Sequence, residues 1–262
     1  RCGWVGPHFV LPDQVIRGES DDPVELALPD GRAKWGEKGS LDVWRREVGR
    51  LFADQSLPTL AMCMAFVGPT LPFVDYVGNF GIDLTGTTSN GKSSLLVAVG
   101  SVMGGDPDRD VGFCETWRTT ANGFEPLMLQ HHHALLLLDE TNLAQGDKIK
   151  RAEFIAEQVF ALAQGVERAR QPQGGVTRAT QLVFMSSSNT PLASLLDARD
   201  PARAAAVASR LITLPIEPRP GGIFDTVPEG FNSAGEAVER LTWLARHHYG
   251  LAFREYLREL VK

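Results

Sequence analysis

The sequence predicts an α/β protein with a parallel sheet flanked by helices, and two observations in its centre support that class. Short apolar runs at residues 80–85, 134–138 and 181–185 alternate with helix-forming segments, which is the order of a βαβ chain. These runs lack the polar alternation of a half-solvated sheet, so they are typical of strands buried on both faces. Residues 211–216 are expected to add a further strand.

The segment before this centre predicts a small β-rich unit followed by two helices. Residues 1–33 contain strand candidates between Gly, Pro and Asp turns, at 4–5, 9–11 and 24–28. Ser40 is a suitable cap for a helix to about residue 53, and a very apolar helix is expected from about 57 to 66.

The segment after the centre predicts helices. Residues 217–222 have the Pro and Gly content of a linker, and Ser233 with Glu236 has the spacing of a capping box. Helices are expected to about residue 248 and then from 251 to 261. The predicted division is a β-rich and helical segment (1–77), a sheet core (78–217) and a C-terminal helical segment (218–262).

Composition and charge restrict the class of partner. With a net charge of −6 over 262 residues, the chain has no globally basic surface, so a nucleic acid would have to be held by a local group of Lys and Arg. The three cysteines are odd in number and widely spaced, which favours a reducing, cytoplasmic location. Gly and Pro interrupt the longest apolar run, 60–77, so no membrane partner is expected. Because the first residue is Arg1, we expect a longer parent protein.

The most informative motif follows the first apolar run. Residues 86–93 match GxxxxGK[ST] in full, and a helix-forming run follows at about 93–103. Glycines allow the backbone to approach phosphates, while its N–H groups and the helix N-terminus attract anions. The motif predicts a P-loop for Mg-ATP, with Lys92 on the β- and γ-phosphates and Ser93 on Mg²⁺. The expected ATP-binding residues are Gly86, Thr87, Thr88, Ser89, Asn90, Gly91, Lys92, Ser93 and Ser94.

A second motif consists of four leucines followed by two acids, and its Asp139 lies 47 residues after Lys92. A buried strand ending in this way is typical of a Walker B motif, with Asp139 in the Mg²⁺ shell. Glu140 is then expected to orient and deprotonate the water that attacks the γ-phosphate. The adjacent acids favour a hydrolysing motor over a small-molecule kinase, because a kinase protects ATP from water.

Polar residues after the 181–185 run are candidates for contact with the γ-phosphate, since parallel sheets bind ligands at the carboxyl ends of their strands. Asn189 is the first candidate, with Ser187 and Ser188 as rivals, and a polar turn between a strand and a helix is the alternative. Arg210 is a candidate to act in trans on the ATP of a neighbouring subunit, and a surface arginine at a helix end is the alternative. Arg203 is the second choice and Arg199 the third.

A basic hairpin is predicted ahead of that run, because Gly174 and Gly175 form a turn between short flanks. Arg168, Arg170 and Arg178 flank it and are expected to contact DNA phosphates in the pore of a ring. An ordinary solvated loop remains the alternative.

Two further groups have simpler interpretations. The run His131–His133 carries no nearby Cys or acid cluster, so a polar turn is favoured over a metal site. Trp4, Trp35 and Trp44 are expected in the core, whereas Trp117 could lie in the core or near the site.

Several short stretches resemble one known family. They are Gly3-Trp4-Val5, residues 9–12, Gly39-Ser40, Trp44-Arg45, Gly81, residues 119–125, Leu138-Asp139-Glu140, Gly165, Arg168, Arg170, Tyr249-Gly250 and Phe253. The chain resembles the domain-of-unknown-function 927 family, a branch of the AAA+ ATPases related to superfamily 3 helicases. The resemblance covers nearly the whole chain and implies an AAA+-like P-loop NTPase. It also implies a ring, expected to be hexameric, that acts as a helicase or translocase on single-stranded or forked DNA in plasmid or phage replication.

Two other functions stay open on the sequence. The acidic net charge and the few basic residues of the hairpin are compatible with a switch or assembly ATPase that does not unwind DNA. A scaffold that holds ATP and barely turns it over is the third hypothesis.

Overall fold

The computed structural model describes residues 2–21, 23–24, 32–75, 77–87, 90–106, 112–141, 144, 148–165, 179–197, 200–216 and 220–262. The strands are β1 Gly3–Val5, β2 His8–Val10, β3 Val15–Ile16, β4 Phe80–Thr85, β5 Glu115–Thr116, β6 Leu135–Asp139, β7 Val183–Ser188 and β8 Leu211–Pro215. The α-helices are α1 Leu41–Phe52, α2 Ser56–Val67, α3 Lys92–Gly100, α4 Ala121–Gln130, α5 Lys148–Gln164, α6 Leu192–Asp197, α7 Pro201–Ala208, α8 Ala234–His247 and α9 Leu251–Leu260. Short 3-10 helices cover Arg32–Trp35 and Gly68–Phe73.

The central sheet confirms the predicted fold class. Within the described residues it has five parallel strands in the order β5-β6-β7-β4-β8, and a separate antiparallel sheet holds β1, β2 and β3. Strand β7 therefore lies between β4 and β6. Its register pairs Thr85 with Ser188 and Leu138 with Ser186, so the carboxyl ends of the three strands meet at one edge.

The sheet is buried on both faces, as the unbroken apolar runs predict. Leu135 and Leu137 pack on one face with α3, the N-terminal segment and the C-terminal helices. Leu136 and Leu138 pack on the other face with α4, α5, α6 and α7. This alternation follows from the two-residue period of a strand, and truncating one such leucine to alanine typically costs about 2–5 kcal/mol of stability.

Several elements differ in extent from the prediction. Ser186 and the two serines after it belong to β7 and are buried, whereas the sequence placed them beyond a strand at 181–185. The helix after the glycine loop ends at Gly100 rather than near residue 103. The strand candidate at 24–28 lies almost entirely outside the described residues, as does part of the 217–222 linker.

Two helices, α1 and α8, begin at the capping residues that the sequence predicts. The Ser40 hydroxyl accepts a hydrogen bond from the Val43 N–H at 3.4 Å, which caps α1. The capping box before α8 is also present, with the Ser233 hydroxyl accepting from the Glu236 N–H at 3.2 Å. Of the three tryptophans expected in the core, Trp35 and Trp44 are buried, and Trp4 is partly buried against it.

The apolar segment Ser56–Phe73 is long and apolar enough, by length and composition alone, to cross a membrane. Its α-helical part ends at Val67, and the rest is a 3-10 helix that contains Pro72. Ala65 and Leu71 lie in the hydrophobic core. Leu60 and Phe73 are exposed, so the segment is buried only in part.

The three histidines form a buried turn before β6 that joins the N-terminal sheet to β7. The His133 ring accepts a hydrogen bond from the Trp4 N–H at 3.1 Å, and the His132 ring accepts one from the Gln181 N–H at 3.0 Å. The His131 ring contacts the Leu127 carbonyl at 2.8 Å. The turn is as predicted, but its side chains are structural links rather than solvated groups.

Acid is expected to destabilise the fold through His131. Burial, assisted by the nearby Lys34 charge, lowers the pKa of its ring to about 3. Below about pH 6.5 the unfolded chain therefore binds a proton that the folded chain excludes, and the free energy of unfolding falls as the pH drops towards 3, by about 2 kcal/mol at pH 5. Urea unfolding at pH 7 and pH 5 checks this. The variant His131→Gln should lose less stability than the parent between the two pH values, and equal losses would contradict the assignment.

Candidate nucleotide-binding site

A cavity of about 280 Å³ opens at the sheet edge where β4, β6 and β7 end. This is the position expected of a ligand site in a parallel sheet. Its lining residues are Asn90, Gly91, Lys92, Ser93, Ser94, Glu140, Thr141, Ser187, Ser188 and Asn189. The cavity therefore brings together side chains from both sequence motifs and from the strand between them.

Two glycines of the loop are required by its geometry. Gly91 has φ +81°, a left-handed conformation that other residues adopt only with strain, and it directly precedes α3. A Cβ on Gly86 would lie 2.7 Å from the Ile216 carbonyl oxygen. Thr88 and Ser89, also expected to bind ATP, lie outside the described residues.

The N-terminus of α3 faces this cavity, and Lys92 folds back across the loop. The first turn has no side-chain cap, so its N–H groups are available to an anion. The Lys92 Nζ donates to the carbonyls of Gly86 and Thr87, at 2.7 Å each. Burial lowers the pKa of this amine, and the carboxylates of Asp139 and Asp83 oppose that shift. Lys92 is thus a partly desolvated cation beside the loop.

Asp139 meets the loop helix directly. Its Oδ1 accepts a hydrogen bond from the Ser93 hydroxyl at 3.2 Å, although β7 separates β6 from β4 in the sheet. Asp139 is buried and Ser93 is exposed to the cavity. A hydroxyl and a carboxylate are both hard oxygen ligands that suit Mg²⁺.

Glu140 has a strained backbone that presents it at the cavity. Its φ is +57°, which is uncommon for a residue with a side chain and typically costs about 1–3 kcal/mol. The Glu140 N–H donates to the Ser187 hydroxyl at 3.0 Å, and that hydroxyl donates to Asp139 Oδ1 at 2.5 Å. Ser187 therefore links the Asp139 carboxylate to the Glu140 backbone, whereas the sequence suggests it only as a rival for the γ-phosphate.

The polar residues at the end of β7 have different contacts. The Ser187 hydroxyl is engaged with the acid pair, and the Ser188 hydroxyl donates to Asp83 at 2.6 Å. Asn189 is exposed and lines the cavity, which leaves it the best placed of the three for a ligand. Trp117 is fully buried and donates to the Ser186 hydroxyl at 2.9 Å, so it belongs to the core.

Arg210 lies at the opposite end of the sheet from the cavity. It immediately precedes β8, and its carbonyl accepts from the Gly81 N–H at the amino end of β4. Its guanidinium donates to the Ala206 carbonyl at 2.7 Å and lies over the Phe160 ring. It therefore does not line the cavity of its own chain.

Of the other predicted arginines, one lies within the described residues. Arg168, Arg170 and Arg178 of the predicted hairpin, and Arg199, lie outside the described residues. Arg203 is on α7, where its guanidinium lies 3.4 Å from the Glu153 carbonyl oxygen and 4.0 Å from the Glu157 carboxylate.

The fold is similar to that of a solved structure described as "SCCmec type IV Cch - active helicase". The TM-score is 0.65 at 16% identity, over 94% of this chain and 42% of the other, so the chain spans less than half of that helicase. The NrS-1 C-terminal region and the JCV helicase give TM-scores of only 0.36 and 0.39, at 12% and 9% identity. They cover 84% and 85% of this chain and 47% and 60% of their own chains. Comparison with curated protein sequences gave no match.

A family model matches the sequence itself. The match extends over residues 1–181, about two thirds of the chain, and includes the glycine loop, Asp139 and Glu140. It agrees with the family indicated by the short stretches of sequence described above. The chain therefore belongs to the family described as "Domain of unknown function (DUF927)".

Proposed function

We propose that this chain is an ATP-hydrolysing motor domain, and that it works as a ring-forming helicase or translocase on DNA. The observation that carries the proposal is the contact between Ser93 and Asp139, with Lys92 and Glu140 at the same cavity. This arrangement supports ATP binding and hydrolysis at one place. The wider motor function rests on the family and on the fold.

The loop residues would bind and orient the triphosphate. The N–H groups at the start of α3 and the Lys92 ammonium supply fixed positive charge where the β- and γ-phosphates would lie. On binding, Lys92 would exchange the carbonyls of Gly86 and Thr87 for phosphate oxygens. Its partial desolvation makes that exchange favourable, because an anion restores the lost solvation.

Ser93 and Asp139 would hold Mg²⁺ through one hydroxyl and one carboxylate. No group of three or more His, Cys, Asp or Glu suited to a metal occurs among the described residues. A magnesium ion shared with phosphates does not need one, since it keeps several waters and takes few protein ligands. When bound, the ion would neutralise charge that develops on the phosphate oxygens.

Glu140 would act on the attacking water. Its carboxylate accepts one proton from that water as the oxygen bonds to the γ-phosphorus, and the bond to the β,γ-bridging oxygen breaks, giving ADP and phosphate. The Ser187 hydroxyl bonds both the Glu140 backbone and the Asp139 carboxylate, which would help to keep the backbone of the base in place relative to the metal ligand. Asn189 would hold the same water from the strand between the two motifs.

A ring would explain the position of Arg210. At the amino end of β8 it cannot serve its own ATP, so it would be presented to a neighbouring subunit. We therefore expect Arg210→Ala to lower hydrolysis by about 10³-fold or more. The exposed Arg258, on α9, supplies the matched control Arg258→Ala.

Mixing two inactive variants tests the action in trans. A subunit with Glu140→Gln keeps Arg210, and a subunit with Arg210→Ala keeps its own intact cavity. Mixed rings should therefore recover part of the lost hydrolysis, because some interfaces combine both intact parts. If the mixture is no more active than its components, Arg210 does not act across an interface.

The test of the motor function is unwinding of forked DNA by the chain with Mg-ATP. A helicase should release the displaced strand, and single-stranded DNA should raise its rate of hydrolysis. Arg168→Ala combined with Arg170→Ala should weaken that stimulation, and the stimulation should fall with salt as phosphate contacts do. If DNA does not change the rate of hydrolysis and no unwound strand is released, the result would instead favour the switch or assembly ATPase.

A further inference from the structure

A buried carboxylate lies beneath the junction of the phosphate loop and β7. Asp83, on β4, is only 1% exposed. It alternates with Ile82 and Leu84, so it faces the helices of α5–α7 rather than α3. A buried charge is costly without hydrogen-bonding partners, so its contacts require an explanation.

Two hydroxyls bond one oxygen of this carboxylate, one from each of two neighbouring strands. Asp83 Oδ2 accepts from the Ser188 hydroxyl at 2.6 Å and from the Thr85 hydroxyl at 2.9 Å. The two hydroxyl oxygens lie 3.0 Å apart, and all three side chains are buried. Burial raises the pKa of Asp83, while hydrogen bonds with Ser188, Thr85 and Ser186 and the Lys92 charge oppose the shift.

These contacts join the last residues of the two strands. Thr85 is followed by Gly86, the first residue of the phosphate loop, and Ser188 is followed by Asn189 at the cavity. The Gly86 N–H also donates to the Ser188 carbonyl at 3.1 Å. The Asp83 carboxylate therefore reinforces, through side chains, the backbone link between the loop and the strand end that carries Asn189.

We propose that Asp83 is a positioning residue for hydrolysis, which holds Thr85 and Ser188 so that the phosphate loop and Asn189 stay in register. This inference rests on the proposed ATPase function. Asp83 itself lies outside the lining of the cavity, so its removal should affect the chemical step more than nucleotide binding. A misplacement of the order of 1 Å in such a site can cost about a hundredfold in rate.

The experiment compares kcat, KM and thermal unfolding for four variants of the chain. Asp83→Ala and Ser188→Ala should each lower kcat by about tenfold to a hundredfold and change KM by less than about threefold. Asp83→Asn should recover most of the rate, because its amide oxygen still accepts both hydroxyls. Thr180→Ala is the control, because the Thr180 hydroxyl is also buried and donates to the Gly165 carbonyl at 3.2 Å, near the other end of β7.

The double variant Asp83→Ala with Ser188→Ala gives a second readout. Its loss of kcat should be close to that of Asp83→Ala alone, since both changes break the same link. Ser188→Ala removes only one hydroxyl, so it still tests the link if Asp83→Ala does not fold.

Three outcomes would overturn the proposal. They are an unchanged kcat in Ser188→Ala, a kcat loss in Thr180→Ala as large as that in Ser188→Ala, and losses that multiply fully in the double variant. Failure of the proposed function is recognised separately, because the parent would then hydrolyse no ATP in the same assay, and the role of Asp83 would fall with it.

Discussion

The variant Glu140→Gln is expected to hydrolyse ATP about 10²–10⁴ times more slowly than the parent, which is the usual contribution of a general base. Glutamine keeps the size and a hydrogen-bonding oxygen, but it cannot take the proton of the attacking water. The backbone conformation at φ +57° and the N–H bond to Ser187 do not depend on the carboxylate, so the cavity should keep its shape. ATP should therefore bind within about threefold of the parent affinity.

Single-turnover hydrolysis and equilibrium binding of ATP measure these two quantities separately. Glu259→Gln is the matched control, because Glu259 is exposed on α9, pairs with Lys262 and lies far along the chain from the cavity. Hydrolysis by Glu140→Gln at the parent rate would show that another group activates the water. A combined loss of binding and hydrolysis would show that Glu140 supports the site rather than the chemistry.

The sequence predicted those parts of the site whose residues lie close together along the chain. The conformation of the loop from Gly86 to Ser93 depends on local sequence, because its glycines, its lysine and the start of a helix lie within a few residues of one another. Asp139 and Glu140 likewise end an apolar strand, which delivers them to the sheet edge. A parallel sheet then brings the two motifs to the same edge without further information.

The parts that the sequence did not predict depend on which strands are neighbours. Ser187 clamps Asp139, and Ser188 bonds Asp83, only because β7 is inserted between β6 and β4. Strand order is a long-range property, and one sequence does not encode it in any local pattern. For the same reason the sequence placed the three serines beyond the strand, whereas Trp117, Asp139 and Asp83 satisfy their hydroxyls inside it.

Helix α4 shows the same limit for local propensity. Its sequence contains Gly123 and Pro126, which disfavour a helix, and the alternation of strands and helices gave no helix there. Phe124 and Met128, four residues apart, nevertheless pack into the core beside Trp117. Burial of one apolar side therefore outweighs the cost of the two unfavourable residues.

The variants Lys92→Ala and Lys92→Met are expected to weaken ATP binding by at least about a hundredfold, equivalent to about 2.7 kcal/mol. Both remove the ammonium, and methionine keeps most of the aliphatic stem, so equal losses would identify the charge as the cause. Isothermal titration with an ATP analogue measures the affinity. Lys262→Met is the control, because Lys262 is an exposed lysine at residue 262, the last position of the sequence.

The stability of the empty protein should change in the opposite direction. Lys92 is only 7% exposed, and burial lowers the pKa of its amine, so the folded chain holds this charge at a cost in the absence of a nucleotide. Lys92→Met should therefore unfold at the parent temperature or above it when no ATP is present, while ATP should raise the unfolding temperature of the parent alone. A residue kept for packing would give the reverse pattern, with a less stable empty protein and unchanged affinity. That result would remove Lys92, and with it the phosphate site, from the proposed function.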